Sequence, residues 1–154
     1  MSKPVEPCPS EPVEIIKGGD RPALLLCDHA GHEVPRAVGD LGISRDNLTR
    51  HIGWDIGAAA VTRRLASRLG ATALLNHVSR LVIDVNRRPR TPTSIPAVSD
   101  GCVVPGNEGL DESEVDRRIR DYFLPYHRAI ARGIARFRRG GRIPVLVAVH
   151  SFTP

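Results

Sequence analysis

The chain has 154 residues, 41% of them hydrophobic and 25% charged, enough for one folded domain with a buried core. Lysine and arginine outnumber aspartate and glutamate by 22 to 17, and the isoelectric point is near 9.7, so a polyanion or a small acidic ligand would be attracted. Aromatic residues make up only 4%, which argues against a stacking surface for nucleic acid, and no apolar run is long enough to span a bilayer. Cys8, Cys27 and Cys102 are widely spaced with no CxxC pair, so neither a disulfide framework nor a thiolate zinc site is indicated. With no apolar signal segment at the start, the expected compartment is the reducing cytoplasm.

Residues 1–20 are expected to be a flexible, proline-rich lead-in, and 21–154 a single domain. Ala23 to Cys27 is a compact apolar run between Pro22 and Asp28, read as a buried strand ending at Asp28-His29. From Asp55 to Leu69, Ile56, Ala60, Val61, Leu65 and Leu69 recur at helical spacing, and Gly70 supplies the stop. Ala73 to Leu75 and Leu81 to Val85 are short strand candidates. Arg88 to Asn107 lacks periodicity and reads as a long ordered loop or lid.

Asp111 and Glu114 form a capping-box pattern that opens a helix, which Pro125 bends or interrupts before it ends at Gly140-Gly141. Val145 to Val149 is a second fully apolar run, read as a strand of a largely buried sheet that delivers His150-Ser151. Strands alternating with helices indicate an α/β domain with a largely buried sheet and a site at the carboxyl ends of its strands.

Three clusters carry chemistry. Asp28-His29-Ala30-Gly31-His32-Glu33 sets two imidazoles and two carboxylates in a turn after a buried strand, and His150 follows a second strand. Catalytic zinc sites use three such protein ligands and leave a position open. Asp55 opens a helix, where capping the orphan amides and facing a metal are equally good uses of its carboxylate. In Ser79 to Arg87, an apolar segment ends in Asp84-Val85-Asn86-Arg87, with Arg80 at its start; a guanidinium and an amide there suit a carboxylate-bearing substrate, with an Asp84–Arg87 ion pair as the plainer use. Arg88 and Arg90 read as solvated loop charges, and the helical arginines, Arg132 and Arg136 among them, as a solvated face.

Taken together, the strand leading to His29-x-Gly31, the Ser79–Arg87 segment, Pro125-Tyr126-His127 and the strand ending in His150-Ser151 resemble the N-formylglutamate amidohydrolases. The resemblance covers about Leu24 to Pro154. It implies a three-layer α/β sandwich with a mostly parallel or mixed sheet, of the phosphorylase/hydrolase type found in zinc carboxypeptidases. It also implies zinc held by His29 and His150, with Asp55 as third ligand and Glu33 or His32 as alternatives. In the carboxypeptidases the second ligand is a glutamate three residues after the first histidine; here that position is His32. Arg80, Asn86 and Arg87 are the implied substrate-binding residues. The implied substrate is a small acidic N-acyl amino acid, cleaved to formate and glutamate in the case of N-formyl-L-glutamate, as in histidine breakdown. Relatives of this kind are longer, and their general-base glutamate is expected beyond Pro154, with Glu33 the weaker candidate here; a truncated metal- or ligand-binding module is the competing expectation, and a basic nucleic-acid-associated domain a lesser one. Oligomeric state is left open.

Overall fold

The computed structural model describes residues 12–153; Cys8 and residues 1–11 of the expected lead-in lie outside them. Val13–Ile16, which composition assigns to that lead-in, forms strand β1. Val13 and Ile15 share one face of this edge strand, Val13 buried in the core and Ile15 half exposed, while Ile16 packs on the other face. Strand β2 is Ala23–Cys27, α1 the single turn Arg45–Leu48, α2 Ala58–Leu69 and β3 Thr72–Asn76. A hairpin, β4 Val98–Ser99 and β5 Cys102–Val103, follows within the segment expected to be a loop. Helix α3 is Glu112–Arg118, α4 Leu124–Arg139 and β6 Val145–Ala148.

The main sheet has the order β1-β3-β2-β6, with β1 antiparallel to β3 and the other three strands parallel. Alternation along the central strands assigns their two faces. Leu25, Cys27, Ala73 and Leu75 belong to one buried cluster with Ala58, Ala59 and Ala66 of α2, whose small side chains let the helix lie close. Leu24 and Leu74 belong to the other, with Tyr126 and Ala129 of α4. The result is the α/β architecture with a central mixed sheet flanked by helices that the strand–helix alternation predicts.

Three expectations about elements are corrected. Leu81 to Val85 is fully buried but is no strand. Its carbonyls bond side chains, not a ladder: Leu81 O accepts from Asn107 Nδ2, Val82 O from Arg118 Nη1, and Val85 O pairs with His127 Nε2. An apolar run whose backbone is satisfied this way can be buried without neighbours in a sheet. Second, β6 is not buried: the strand order puts it outermost, and Val145, Leu146 and Val147 are 63%, 47% and 39% exposed. Third, Arg90 is not simply solvated, because it pairs with Glu112 and Asp116.

At Pro125 the helix is not broken but widened. A five-residue π segment, Ile119–Phe123, joins α3 to α4 immediately before it. A π turn relieves the contact of the proline ring with the preceding turn and the loss of its N–H. Asp111 caps α3 as expected, its carboxylate accepting from the Glu114 amide. Among the described residues no helix is long and apolar enough to cross a membrane.

Candidate metal centre

The carboxyl ends of β2 and β6, neighbours in the sheet, carry Asp28-His29 and His150 to the same rim. Gly31 permits the turn after His29 to lie flat on β3: a Cβ there would stand 2.6 Å from the His77 carbonyl oxygen and 2.9 Å from its Cα. Asn76 closes the end of β3 onto this turn, donating to the Asp28 carbonyl at 2.9 Å. The Asp55 amide donates to the His29 carbonyl at 3.0 Å, which sets Asp55 beside the two histidines.

Of the two uses the sequence allows for Asp55, capping is not the one adopted. Helix α2 begins at Ala58 behind Gly57, and no side chain caps it. The Asp55 carboxylate turns into the rim, with Oδ2 at 2.8 Å from His150 Nδ1 and 3.4 Å from His29 Nδ1. Ligand atoms of His29, Asp55 and His150 all lie within 4.8 Å of one another, and this trio could hold a metal ion. Among the described residues no other such group of histidine, cysteine and acidic residues occurs, and His32 and Glu33 are outside it. The His32 ring lies against Trp54, with centroids 5.1 Å apart, and Glu33 joins the backbone of Val78 in an isolated bridge.

Each histidine is backed by a second carboxylate. His29 Nε2 lies 2.8 Å from Asp84 Oδ1, and His150 Nε2 lies 3.3 Å from Asp28 Oδ2. A carboxylate behind one ring nitrogen holds the proton there and leaves the lone pair on the other, the arrangement that orients metal-ligating imidazoles. Both Nδ1 atoms face Asp55 Oδ2.

Arg80 ties the acids together, donating from Nη2 to Asp84 Oδ2 at 3.0 Å and from Nη1 to Asp55 Oδ1 at 3.5 Å. Burial is the largest influence on His29 and disfavours its cation, yet the bonds to Asp55 and Asp84 outweigh it and the pKa is raised. Burial likewise opposes ionisation of Asp55 and Asp84, and their bonds to the histidines, with Arg80 nearby, still hold both below the usual carboxylate range. The cluster thus joins two imidazoles to ionised carboxylates, the donor set that a metal cation would take.

Arg80 also stands between two clefts. One, of about 370 Å³, is lined by Arg80, Asp84 and Arg87 together with Pro92, Thr93, Val98 and Ser99. The other, of about 300 Å³, is lined by His51, Trp54, Asp55, Arg80, Ser151 and Phe152. Arg87 is 56% exposed, and its Nε is 3.9 Å from Asp84, so the Asp84–Arg87 pair is at most a weak accessory to the shorter Asp84 contacts. The Asn86 side chain is exposed, and it is the backbone amide of Asn86 that supports Asp84, at 2.9 Å.

Sequence reasoning did not assign Asp84 as a partner of His29, Asp28 as a partner of His150, or Arg118 as a buried anchor. Arg118 is 1% exposed and bonds Glu114, Val82 O, Gly106 O and Asn107 Oδ1, fixing the Leu81–Val85 segment that carries Asp84. Its signal was available: with Val115, Ile119 and Tyr122 it falls on the apolar stripe of its helix.

Fold and site together define an α/β protein with a carboxylate-backed His–Asp–His centre, able to hold a metal ion, at the carboxyl rim of its sheet. The sequence model of the N-formylglutamate amidohydrolase family matches residues 21–154, and the chain belongs to that family. It is similar to the N-formylglutamate deformylase of Pseudomonas aeruginosa, 29% identical over 147 residues that cover 88% of this chain and 54% of that protein. The crystal structure of gene product Atu2144 from Agrobacterium tumefaciens superposes with a TM-score of 0.89 at 39% identity, covering 94% of this chain and 58% of that one. The N-formylglutamate amidohydrolase of Ralstonia eutropha shares the fold, with a TM-score of 0.67 at 24% identity over 92% of this chain and 57% of its own. The chain therefore spans somewhat more than half the length of these relatives.

Proposed function

We propose that this chain carries the zinc-binding half of a cytoplasmic amidohydrolase site for N-formyl-L-glutamate or a related N-acyl amino acid, which the whole enzyme hydrolyses to formate and glutamate in the first case. The observation that carries the reading is the convergence of His29 Nδ1, Asp55 Oδ2 and His150 Nδ1 beside an arginine-lined cleft. Two imidazoles and one carboxylate are a donor set typical of catalytic zinc, and their Nε2 carboxylate partners fit such a role.

When bound, zinc supplies Lewis-acid polarisation of the amide carbonyl and acidifies water toward neutral pH, which a poor electrophile requires. The chain's own residues bind and orient. Arg87, exposed in the larger cleft, takes a carboxylate of the substrate, where a guanidinium fork matches it in bidentate fashion. Arg80, already held between Asp55 and Asp84, presents its remaining donors at the junction of the two clefts, where the scissile amide would lie. Asp84 and Asp28 stand behind the two Nε2 atoms and orient the rings toward Asp55. Asn86 supports Asp84 through its amide and serves substrate only if its exposed side chain turns inward.

One observation favours the alternative of a metal- and ligand-binding module without turnover: the rim carboxylates Asp28, Asp55 and Asp84 are all engaged with His29 or His150. Formate release from N-formyl-L-glutamate by the zinc-loaded chain, set against His150→Ala, separates the two readings. Release abolished by the substitution supports the hydrolase. Zinc and substrate binding without release supports the module, and metal content unchanged in His150→Ala overturns the site itself.

A further inference from the structure

The two ligand histidines are backed differently. Behind His29, the carboxylate of Asp84 is anchored by a cation, Arg80. Behind His150, the carboxylate of Asp28 is anchored by a neutral group: the Tyr126 hydroxyl donates to Asp28 Oδ1 at 2.6 Å and leaves Oδ2 facing His150 Nε2 at 3.3 Å. Tyr126 is 1% exposed and belongs to α4, the helix beneath the sheet, whereas His150 follows the exposed edge strand β6. His150 Nδ1 lies closer to Asp55, at 2.8 Å, so two carboxylates compete for the ring proton from opposite sides. Metal binding at Nδ1 needs that competition resolved toward Asp28.

We propose that Tyr126 is a positioning residue for the metal centre, acting through Asp28: its hydroxyl holds the carboxylate toward His150 Nε2, which orients the ring with Nδ1 toward Asp55. The role needs a donor that never becomes an acceptor. Burial, reinforced by the neighbouring charge of Asp28, pushes the Tyr126 hydroxyl above its ordinary value, in keeping with the 2.6 Å bond it donates to Asp28 Oδ1. With a phenyl ring in its place, the Asp28 carboxylate loses one of its two partners, and nothing then selects the rotamer that faces His150.

This inference rests on the reading of His29, Asp55 and His150 as zinc ligands, and its test separates the two. Tyr126→Phe keeps the ring and removes one oxygen. Zinc affinity, measured by competition with a chromophoric chelator, should fall about tenfold, the lower end of what loss of an outer-shell partner costs. The ¹⁵N spectrum of the His150 ring in metal-free protein should show the Nε2–H tautomer losing population to Nδ1–H, a change that lost packing alone does not produce. In a double-mutant cycle with Asp28→Asn, the two effects should not add. Additive effects, or an unchanged His150 tautomer, would overturn the inference. A wild-type chain that takes up no zinc overturns the underlying reading, and the tautomer of the metal-free protein then decides the Tyr126–Asp28–His150 relay alone.

Discussion

Replacing Asp84 by asparagine tests the carboxylate-backed centre at its most buried member. Asp84 is 3% exposed and accepts three hydrogen bonds, from His29 Nε2 at 2.8 Å, Arg80 Nη2 at 3.0 Å and the Asn86 amide at 2.9 Å. Asparagine fills the same volume but carries no charge and can turn an N–H toward His29. Nε2 then becomes an acceptor and the proton moves to Nδ1, the atom that faces Asp55. Loss of such an outer-shell partner costs about 10–100-fold in metal affinity, which is about 1.4–2.7 kcal/mol. The metal-free protein weakens as well: two charge-assisted bonds, each contributing about 1.5–3 kcal/mol, lose their charge but not their geometry, so a net loss of about 2–3 kcal/mol is expected at pH 7. Because the folded carboxyl is held below its ordinary pKa, this stability is present above the unfolded value and is lost as pH falls through the folded one. Chelator competition measures the first effect, and urea unfolding of the metal-free proteins at pH 7 and at pH 3 the second. Zinc affinity within twofold of wild type would refute the reasoning, as would a stability gap equally large at both pH values.

Metal-free His29 should behave with the opposite sign. Its raised pKa means that its contribution is full below the ordinary imidazole value and declines as pH rises through the folded one. The melting-temperature gap between metal-free wild type and His29→Gln should therefore narrow from pH 6 to pH 9; a gap that widens contradicts the assigned charge state. Arg118→Met would leave Val82 O, Gly106 O and Asn107 Oδ1 without a donor, and about 3–5 kcal/mol of lost stability is expected in urea unfolding; a loss under 1 kcal/mol would show that water replaces the guanidinium. Burial pushes the Cys27 thiol up to about 11, so peptide mapping after iodoacetamide treatment of folded protein at pH 8 should find it unmodified, and modification as fast as in urea would contradict its burial.

How much of this was legible depended on how local each signal was. His29 and His150 could be read because each follows an apolar run, and a strand fixes the side chain that comes after it. Asp55 could not be assigned alone: a carboxylate at a helix start has two good uses, and only the distance to both Nδ1 atoms decides between them. Asp84 was seen as part of a charged cluster, but its partner His29 is 55 residues away in sequence, and no local pattern encodes that bond. Leu81 to Val85 misled because burial and strand formation leave the same apolar trace; the difference lies in Asn107, Arg118 and His127, whose side chains bond its carbonyls. Val145–Ala148 has a continuous apolar pattern, yet it occupies the edge of the described sheet, because strand order is set by long-range pairing that composition does not record. Strand β1 was hidden by the prolines and acids around it.

The central claim is that His29, Asp55 and His150 hold one zinc ion. Crystals of the zinc-loaded chain, measured with anomalous scattering at the zinc edge, test it most directly. The account predicts a single peak within bonding distance of Nδ1 of His29, the Asp55 carboxylate and Nδ1 of His150. No peak there, or one held by His32 and Glu33, would contradict it.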